Sequence, residues 1–305
     1  MSSRKGIILA GGSGTRLYPM TSVTSKQLLP VFDKPMVYYP LSTLMLGRIR
    51  EVLLISTPDD LPRFRKLLGS GEQWGMSIDY VPQPSPDGIA QAFILGKNFL
   101  AGSPSALILG DNMFHGSGFS AKVSMASDDI REGATLFAVR VDDPERYGVA
   151  FFDGDGKLLD IEEKPKDPKS NFAVTGLYFY DQDAPLVAES LKPSKRGELE
   201  ITDLNKRYLR DKEVRVETLG RGYAWFDTGT PESLSEASQY IEAIAHRQGY
   251  KIACPEEIAL LNGWISIEQL LENVATMGSG SYPEYLLKIV RELRDEGDRY
   301  CDSRG

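Results

Sequence analysis

The sequence predicts an α/β fold, with a mostly parallel mixed sheet covered on both faces and a helical C-terminal extension. Three observations carry this: short apolar runs alternate with helical patterns in the first half, a glycine-rich loop follows the first run, and amphipathic helical stripes fill the end of the chain. Gly6–Ala10, Val52–Ser56, Ile78–Val81, Ala106–Leu109 and Thr135–Val141 read as strands, as expected for a sheet buried on both faces. Pro62–Leu68 and Ile89–Leu100 between them read as helices. The pattern then changes: Val149–Phe152, a turn at Asp153–Lys157 and Leu158–Glu163 read as a hairpin, with Ala173–Tyr180 as a further strand. Asp153-Gly-Asp-Gly156 lacks the later Gly and Glu of a calcium loop and is a turn. After Asp227, helices are expected over Pro231–Gln248, Ile265–Met277 and Tyr282–Glu296. Ile267, Leu270, Leu271 and Val274 repeat at i, i+3, i+4 and i+7, as do Leu286, Ile289, Val290 and Leu293, so each helix buries one stripe. No internal repeat is visible, and the chain reads as an α/β domain over 1–230 with an extension over 231–305 packed on it.

The 305 residues are 41% hydrophobic and 26% charged, enough to bury a full core. Forty-three acids against thirty-five bases give a formal charge of −8, which offers no broad footprint for a nucleic-acid polymer or an anionic membrane. A small anionic ligand is compatible, because a few cations and backbone amides suffice to hold phosphate. Two cysteines, Cys254 and Cys301, exclude a disulfide framework and a Cys-rich zinc site and suit a reducing compartment. The N-terminal apolar stretch is too short for a signal-peptide core, and no run approaches the roughly 18 apolar residues of a membrane span, so the expected location is the cytoplasm.

Gly6–Ala10 runs straight into Gly11-Gly12-Ser13-Gly14-Thr15-Arg16, a loop whose amides can approach phosphate oxygens without Cβ interference. It is not a Walker loop, which needs Gly-Lys-Ser/Thr, and it lacks the third glycine of the dinucleotide fingerprint, where Leu17 stands. Asp111 follows Ala106–Leu109 and Asp227 follows Tyr223–Phe226, so both acids sit at carboxyl ends of strands, where α/β sheets bind ligands. Two carboxylates are enough for magnesium.

Leu9-Ala-Gly-Gly-x-Gly-Thr-Arg-Leu-x-Pro-x-Thr, with Lys26 and Pro30, resembles the signature of the sugar-1-phosphate nucleotidyltransferases. The resemblance continues through Gln83-Pro-Ser-Pro-Asp-Gly88-Ile-Ala-Gln91, Leu109-Gly-Asp111-Asn112, Tyr147-Gly148, Glu163-Lys164-Pro165, Arg196-Gly-Glu-Leu-Glu-Ile-Thr-Asp203 and Gly222-Tyr-Ala-Trp225-Phe-Asp227-Thr-Gly. One departure is Ile89 where leucine is common, a matter of packing. The resemblance implies the short, single-domain type of the Rossmann-like three-layer nucleotidyltransferase fold. It also implies Mg2+-dependent transfer of dTMP from dTTP to glucose 1-phosphate, giving dTDP-glucose and pyrophosphate at the start of dTDP-rhamnose or deoxysugar synthesis. Such chemistry asks for positioning and charge neutralisation and for no general base, which suits a chain with only His115 and His246.

By this resemblance Arg16 holds the β- and γ-phosphates, Lys26 the α-phosphate, and Lys164 and Arg196 the sugar phosphate, while Asp111 and Asp227 bind the metal. Leu9, Gly11, Gly12, Gly14, Thr15, Gln27, Gln83, Gly88 and Asp111 are expected around the nucleotide. Asn112, Tyr147, Gly148, Glu163, Val174 and Trp225 are expected around the sugar, with Glu163 accepting its hydroxyl hydrogens. The Gln83 amide can pair with O4 and N3–H of thymine or uracil, and Gly88 brings a backbone amide near the base. Resembling enzymes are homotetramers with a second nucleotide site where dTDP-rhamnose inhibits. His115, Gly116, Arg221 and Lys251 suit such a site, with Arg221 and Lys251 holding a diphosphate. The alternatives are a sister enzyme using UTP or another nucleotide, and a catalytically silent sensor of nucleotide sugars; the presence of Arg16, Lys26, Asp111 and Asp227 argues against the silent form.

Overall fold

The computed structural model describes residues 4–12, 14–129 and 132–302, with side chains described through 295. Ser13 of the glycine loop, residues 1–3 and the side chain of Cys301 lie outside the described residues.

The first half builds the parallel part of the sheet. In chain order it comprises β1 (Lys5–Leu9), β2 (Pro30–Val31), β3 (Lys34–Pro35), α1 (Tyr38–Leu46), β4 (Glu51–Ser56), α2 (Leu61–Leu68), β5 (Ser77–Pro82), α3 (Gln91–Leu95), α4 (Lys97–Leu100), β6 (Ser105–Leu109), β7 (Met113–Gly116) and α5 (Phe119–Asp128). β6, β1, β4 and β5 lie side by side and parallel, with Ile8 opposite both Leu54 and Ile108. The second half adds β8 (Ala134–Arg140), β9 (Gly148–Phe152), β10 (Leu158–Glu163), β11 (Phe172–Tyr180), α6 (Ala184–Glu189), α7 (Ile201–Asp211), β12 (Val214–Leu219) and β13 (Tyr223–Phe226). β11 joins the halves: it runs antiparallel to β6, β8 and β9, while β9 and β10 form the expected hairpin and β12 pairs parallel with β8. The chain closes with α8 (Pro231–Gln248), α9 (Pro255–Leu261), α10 (Ile267–Thr276) and α11 (Ser281–Asp302).

Strand periodicity divides the core in two. Ile8, Leu54 and Ile108 face α1, α5 and the last three helices, while Ile7, Leu53 and Leu107 face α3, α6 and α7. Leu270, Leu286, Ile289 and Val290 of the C-terminal stripes are buried in the first of these cores. Residues 89–100, expected as one helix, form two short ones: Ala90 N–H is drawn to Leu199 O (3.1 Å), and the chain re-aims at Gly96, where a Cβ would lie 3.1 Å from Ile7 and 3.2 Å from Leu53. A third cluster, with Leu17, Met36, Tyr39, Leu234 and Ile241, seats α8 on the β2–β3 hairpin beside the glycine loop. α8 starts at Thr230, whose hydroxyl accepts from Ser233 N–H in a capping box, and ends at Gly249 in left-handed backbone (φ 72°). The small ribbon β7–β13, with Met113 opposite Phe226, stands apart from the large sheet.

Candidate active site

The loop after β1, the turn after β6 and the turn after β13 converge. Gly14 stands at φ 58° and caps a single 3-10 turn, Thr15–Leu17, which buries Leu17 and leaves Arg16 exposed. A Cβ on Gly11 would come within 2.5 Å of Gln83 Oε1, so glycine is what lets that buried amide lie against the loop. Gly11, Gly12, Gly14, Thr15, Arg16, Lys26, Gln27 and Asp111 line a cavity of about 220 Å³. Lys26 is nearly buried, its Nζ 2.7 Å from Asp111 Oδ2 and 3.3 Å from the Asp227 carbonyl. The Arg16 guanidinium passes over Gly229, where a Cβ would lie 3.2 Å from Nη2, and among the described residues it pairs with no carboxylate.

A second cavity, of about 450 Å³, shares Arg16 and Asp111 with the first. Asn112, Tyr147, Gly148, Glu163, Lys164, Val174, Arg196, Trp225 and Asp227 all line it. Asn112 is its keystone: Oδ1 accepts from Trp225 Nε1 (2.7 Å) and Gly176 N–H (2.9 Å), and Nδ2 donates to Asp111 Oδ1 (2.9 Å). Tyr147 packs edge-on against Trp225 at 5.1 Å. Burial first, and the nearby Asp227 carboxylate second, push the Tyr147 phenol up to about 12, so it stays protonated and donates to Asp227 Oδ2 (3.5 Å). Glu163 accepts from Thr202 Oγ1 (2.5 Å), with Lys164 Nζ 3.5 Å from its other oxygen. Arg196 is held by Glu200 through Nη2 at 2.8 and 2.9 Å, which raises its pKa.

The two strand-end acids are linked through neighbouring groups. Thr228, buried and next in sequence to Asp227, donates from Oγ1 to the Asp111 carbonyl (2.8 Å). Arg146 supplies a cation that the sequence reading missed, its Nη2 3.2 Å from Asp227 Oδ2 and its Nη1 2.5 Å from Asp143. Thr228, Gly229, Glu200 and Thr202 lie within the family-like motifs but carried no assigned role there; for Arg146 the only signal was its place beside Tyr147-Gly148.

Some expected residues lie elsewhere. Leu9 is buried in the sheet, and neither it nor the buried Gln83, which sits behind Gly11, lines either cavity. Gly88, expected near a base, stands at φ 110° with a hypothetical Cβ 2.3 Å from Leu199 O, and flanking Asp87 O accepts from Leu199 N–H (2.7 Å). Its need for glycine therefore has a packing cause. His115 Nδ1 bonds Tyr240 Oη at 2.8 Å, and Gly116 pairs with Tyr223 across the ribbon that Arg221 precedes. Lys251 is not free to take a diphosphate: its Nζ lies 2.5 Å from Asp33 Oδ2, against Tyr282 and Tyr285.

The profile of the nucleotidyl transferase family matches residues 5–244. The chain is 58% identical over 291 residues to a glucose-1-phosphate thymidylyltransferase of Xanthomonas campestris pv. campestris (strain B100), covering 95% of this chain and 98% of that protein. It is 54% identical to one from Neisseria meningitidis serogroup A, covering 94% and 100%. A crystal structure of a putative glucose-1-phosphate thymidylyltransferase from Bacillus anthracis in complex with a sucrose superposes with a TM-score of 0.72 at 42% identity, covering 78% of this chain and 95% of that one. UDP-glucose pyrophosphorylase with UDP-glucose shares the fold at 23% identity, with a TM-score of 0.65 over 81% and 100%. With its glycine loop, paired acids and this similarity over nearly the whole chain, the protein belongs to the nucleotidyl transferase family, among the glucose-1-phosphate thymidylyltransferases.

Proposed function

We propose that the paired cavities transfer dTMP from dTTP to α-D-glucose 1-phosphate, forming dTDP-glucose and pyrophosphate. The observation that carries this reading is that the two cavities share Arg16 and Asp111, so a triphosphate on the glycine loop and a sugar phosphate near Lys164 and Arg196 meet there. A sugar phosphate is already mostly dianionic at pH 7, its second pKa being about 6, and attacks the α-phosphorus without a general base. Neither histidine lines either cavity. The protein's work is alignment and charge neutralisation. Lys26 holds the α-phosphate, and the planar fork of Arg16 grips the departing pyrophosphate. Lys164 and Arg196 hold the sugar phosphate, and Glu163 accepts from sugar hydroxyls. Gln83 reads the base edge.

Asp111 and Asp227 fit a magnesium ion by donor chemistry: two carboxylates at one cavity wall, each now satisfied by a cation, Lys26 or Arg146. Among the described residues no group of three or more His, Cys, Asp or Glu gathers as a metal cage, which suits an ion whose shell is completed by phosphate oxygens and water. Bound there, magnesium supplies charge neutralisation to the phosphates.

The test is pyrophosphate release from glucose 1-phosphate with each nucleoside triphosphate in turn. dTTP is expected to be preferred and UTP tolerated, because one methyl contact is worth about 1 to 3 kcal/mol. Equal turnover with ATP would refute the base assignment. The same proposal extends to a cytoplasmic homotetramer inhibited by dTDP-rhamnose at the ribbon end that carries His115, Gly116 and Arg221. No helix among the described residues is long and apolar enough to cross a membrane. Arg221→Ala should relieve inhibition and spare basal turnover; equal inhibition of both proteins, competitive with dTTP, refutes that placement.

A further inference from the structure

Gln83, at the end of β5, is buried, and its backbone N–H is fixed on Ser56 O (2.7 Å). Its side-chain amide belongs to a directional chain of hydrogen bonds. Gln83 Nε2 donates to Gln91 Oε1 (2.7 Å), and Gln91 Nε2 donates to Asp87 Oδ2 (2.8 Å), which also accepts from Ser85 Oγ (2.5 Å). A carboxylate can only accept. Asp87 therefore dictates that Gln91 turns its nitrogen outward and its oxygen toward Gln83. Gln91 in turn requires a donor from Gln83. Reversing the Gln83 amide would set two oxygens against each other, and reversing Gln91 as well would only move that clash to Asp87. The polarity of a buried amide is thus set by an acid two hydrogen bonds away.

What remains for a ligand is Oε1, which lies behind Gly11, itself a lining residue of the phosphate cavity, and the second hydrogen of Nε2. An acceptor beside a donor matches a base that offers N3–H beside O4, as thymine and uracil do. Cytosine offers N3 as acceptor beside an N4 donor and needs the amide reversed. We propose that Asp87 and Gln91 are positioning residues which lock the Gln83 amide in the orientation that accepts thymine and uracil and rejects cytosine. The proposal rests on the reading that Gln83 contacts the base, and deepens it: specificity resides in three residues, of which two need not touch the nucleotide.

The experiment compares kcat/KM for dTTP and dCTP in Gln91→Met, Asp87→Asn, the double variant Asp87→Asn/Gln91→Glu, and Gln83→Leu, with thermal unfolding of each protein. Gln91→Met removes the acceptor, and Asp87→Asn lets the relay run either way; each should cut the preference for dTTP over dCTP by about tenfold or more, the worth of one oriented hydrogen bond. The double variant should restore it, since the amide placed at position 87 then donates to a carboxylate at position 91, which can only accept from Gln83. A relay that merely braced the loop would change stability and leave the ratio alone. If Gln83→Leu loses the preference while Gln91→Met and Asp87→Asn keep it, the relay is overturned and the base contact stands. If Gln83→Leu keeps the preference too, the base contact itself is refuted, and the relay with it.

Discussion

Asn112→Ala is expected to destabilise the protein through the donors it strands. The side chain is 3% exposed and satisfies two hydrogen-bond donors with one oxygen. Removing it leaves the buried Gly176 N–H without a partner, at a cost of about 2 kcal/mol, and the half-buried Trp225 indole N–H, at about 1 kcal/mol because water can reach it. With an unfolding entropy of about 2.1 cal/mol/K per residue, a loss of about 3 kcal/mol lowers the melting temperature of a 305-residue chain by about 5 °C. Trp225→Phe removes a donor while the Asn112 oxygen keeps Gly176, so it should cost under about 1 kcal/mol by this mechanism. Combined with Asn112→Ala it removes the orphaned indole N–H, and the double variant should be less destabilised than the two single losses together, by about 1 kcal/mol. Thermal unfolding of the four proteins measures this. A melting temperature for Asn112→Ala unchanged from wild type, or strict additivity in the cycle, would refute the stranded-donor argument.

Three further outcomes are expected. Asp111→Asn or Asp227→Asn should abolish most turnover and its response to magnesium, and full activity in EDTA would remove the two-acid site. Arg16→Ala should lower kcat more than it raises KM for dTTP, by on the order of 3 kcal/mol in barrier, because it acts on charge that grows at the leaving group; a rate within twofold of wild type contradicts that role. Gly88→Ala should cost on the order of 3 kcal/mol, from positive φ and overlap with Leu199 O, and an unshifted urea midpoint would show that the loop yields instead.

Strands were legible wherever an apolar run was bounded by turn residues, as at β1, β4 and β6. α1 escaped because most of its length is buried, so it has no polar face to give it a period. α7 was different: Ile201, Leu204, Asn205 and Tyr208 are buried at helical spacing, and the signal lay inside a stretch that stood out only for its chemistry. In the site, residue types with one obvious task were legible: a glycine loop, strand-end acids, cations after them. Partnerships were not. Nothing local to Lys251 announces Asp33, more than two hundred residues away, and nothing local to Gly88 announces Leu199. Such pairs arise when distant segments pack, and a linear pattern holds no record of them.

The β7–β13 ribbon sets the order in which the protein can become competent during synthesis. Asp111 leaves the ribosome with the four parallel strands of the first half, yet the strand that brings Asp227 beside it is made more than a hundred residues later. Until then β7 has an open edge, and Met113, buried in the finished fold, has no ribbon partner. A nascent chain halted before β13 would carry a complete glycine loop, Arg16 and Lys26, with only one of the two strand-end acids. On the proposed assignment, the pair of acids for the metal is complete only once the chain has committed to its C-terminal third.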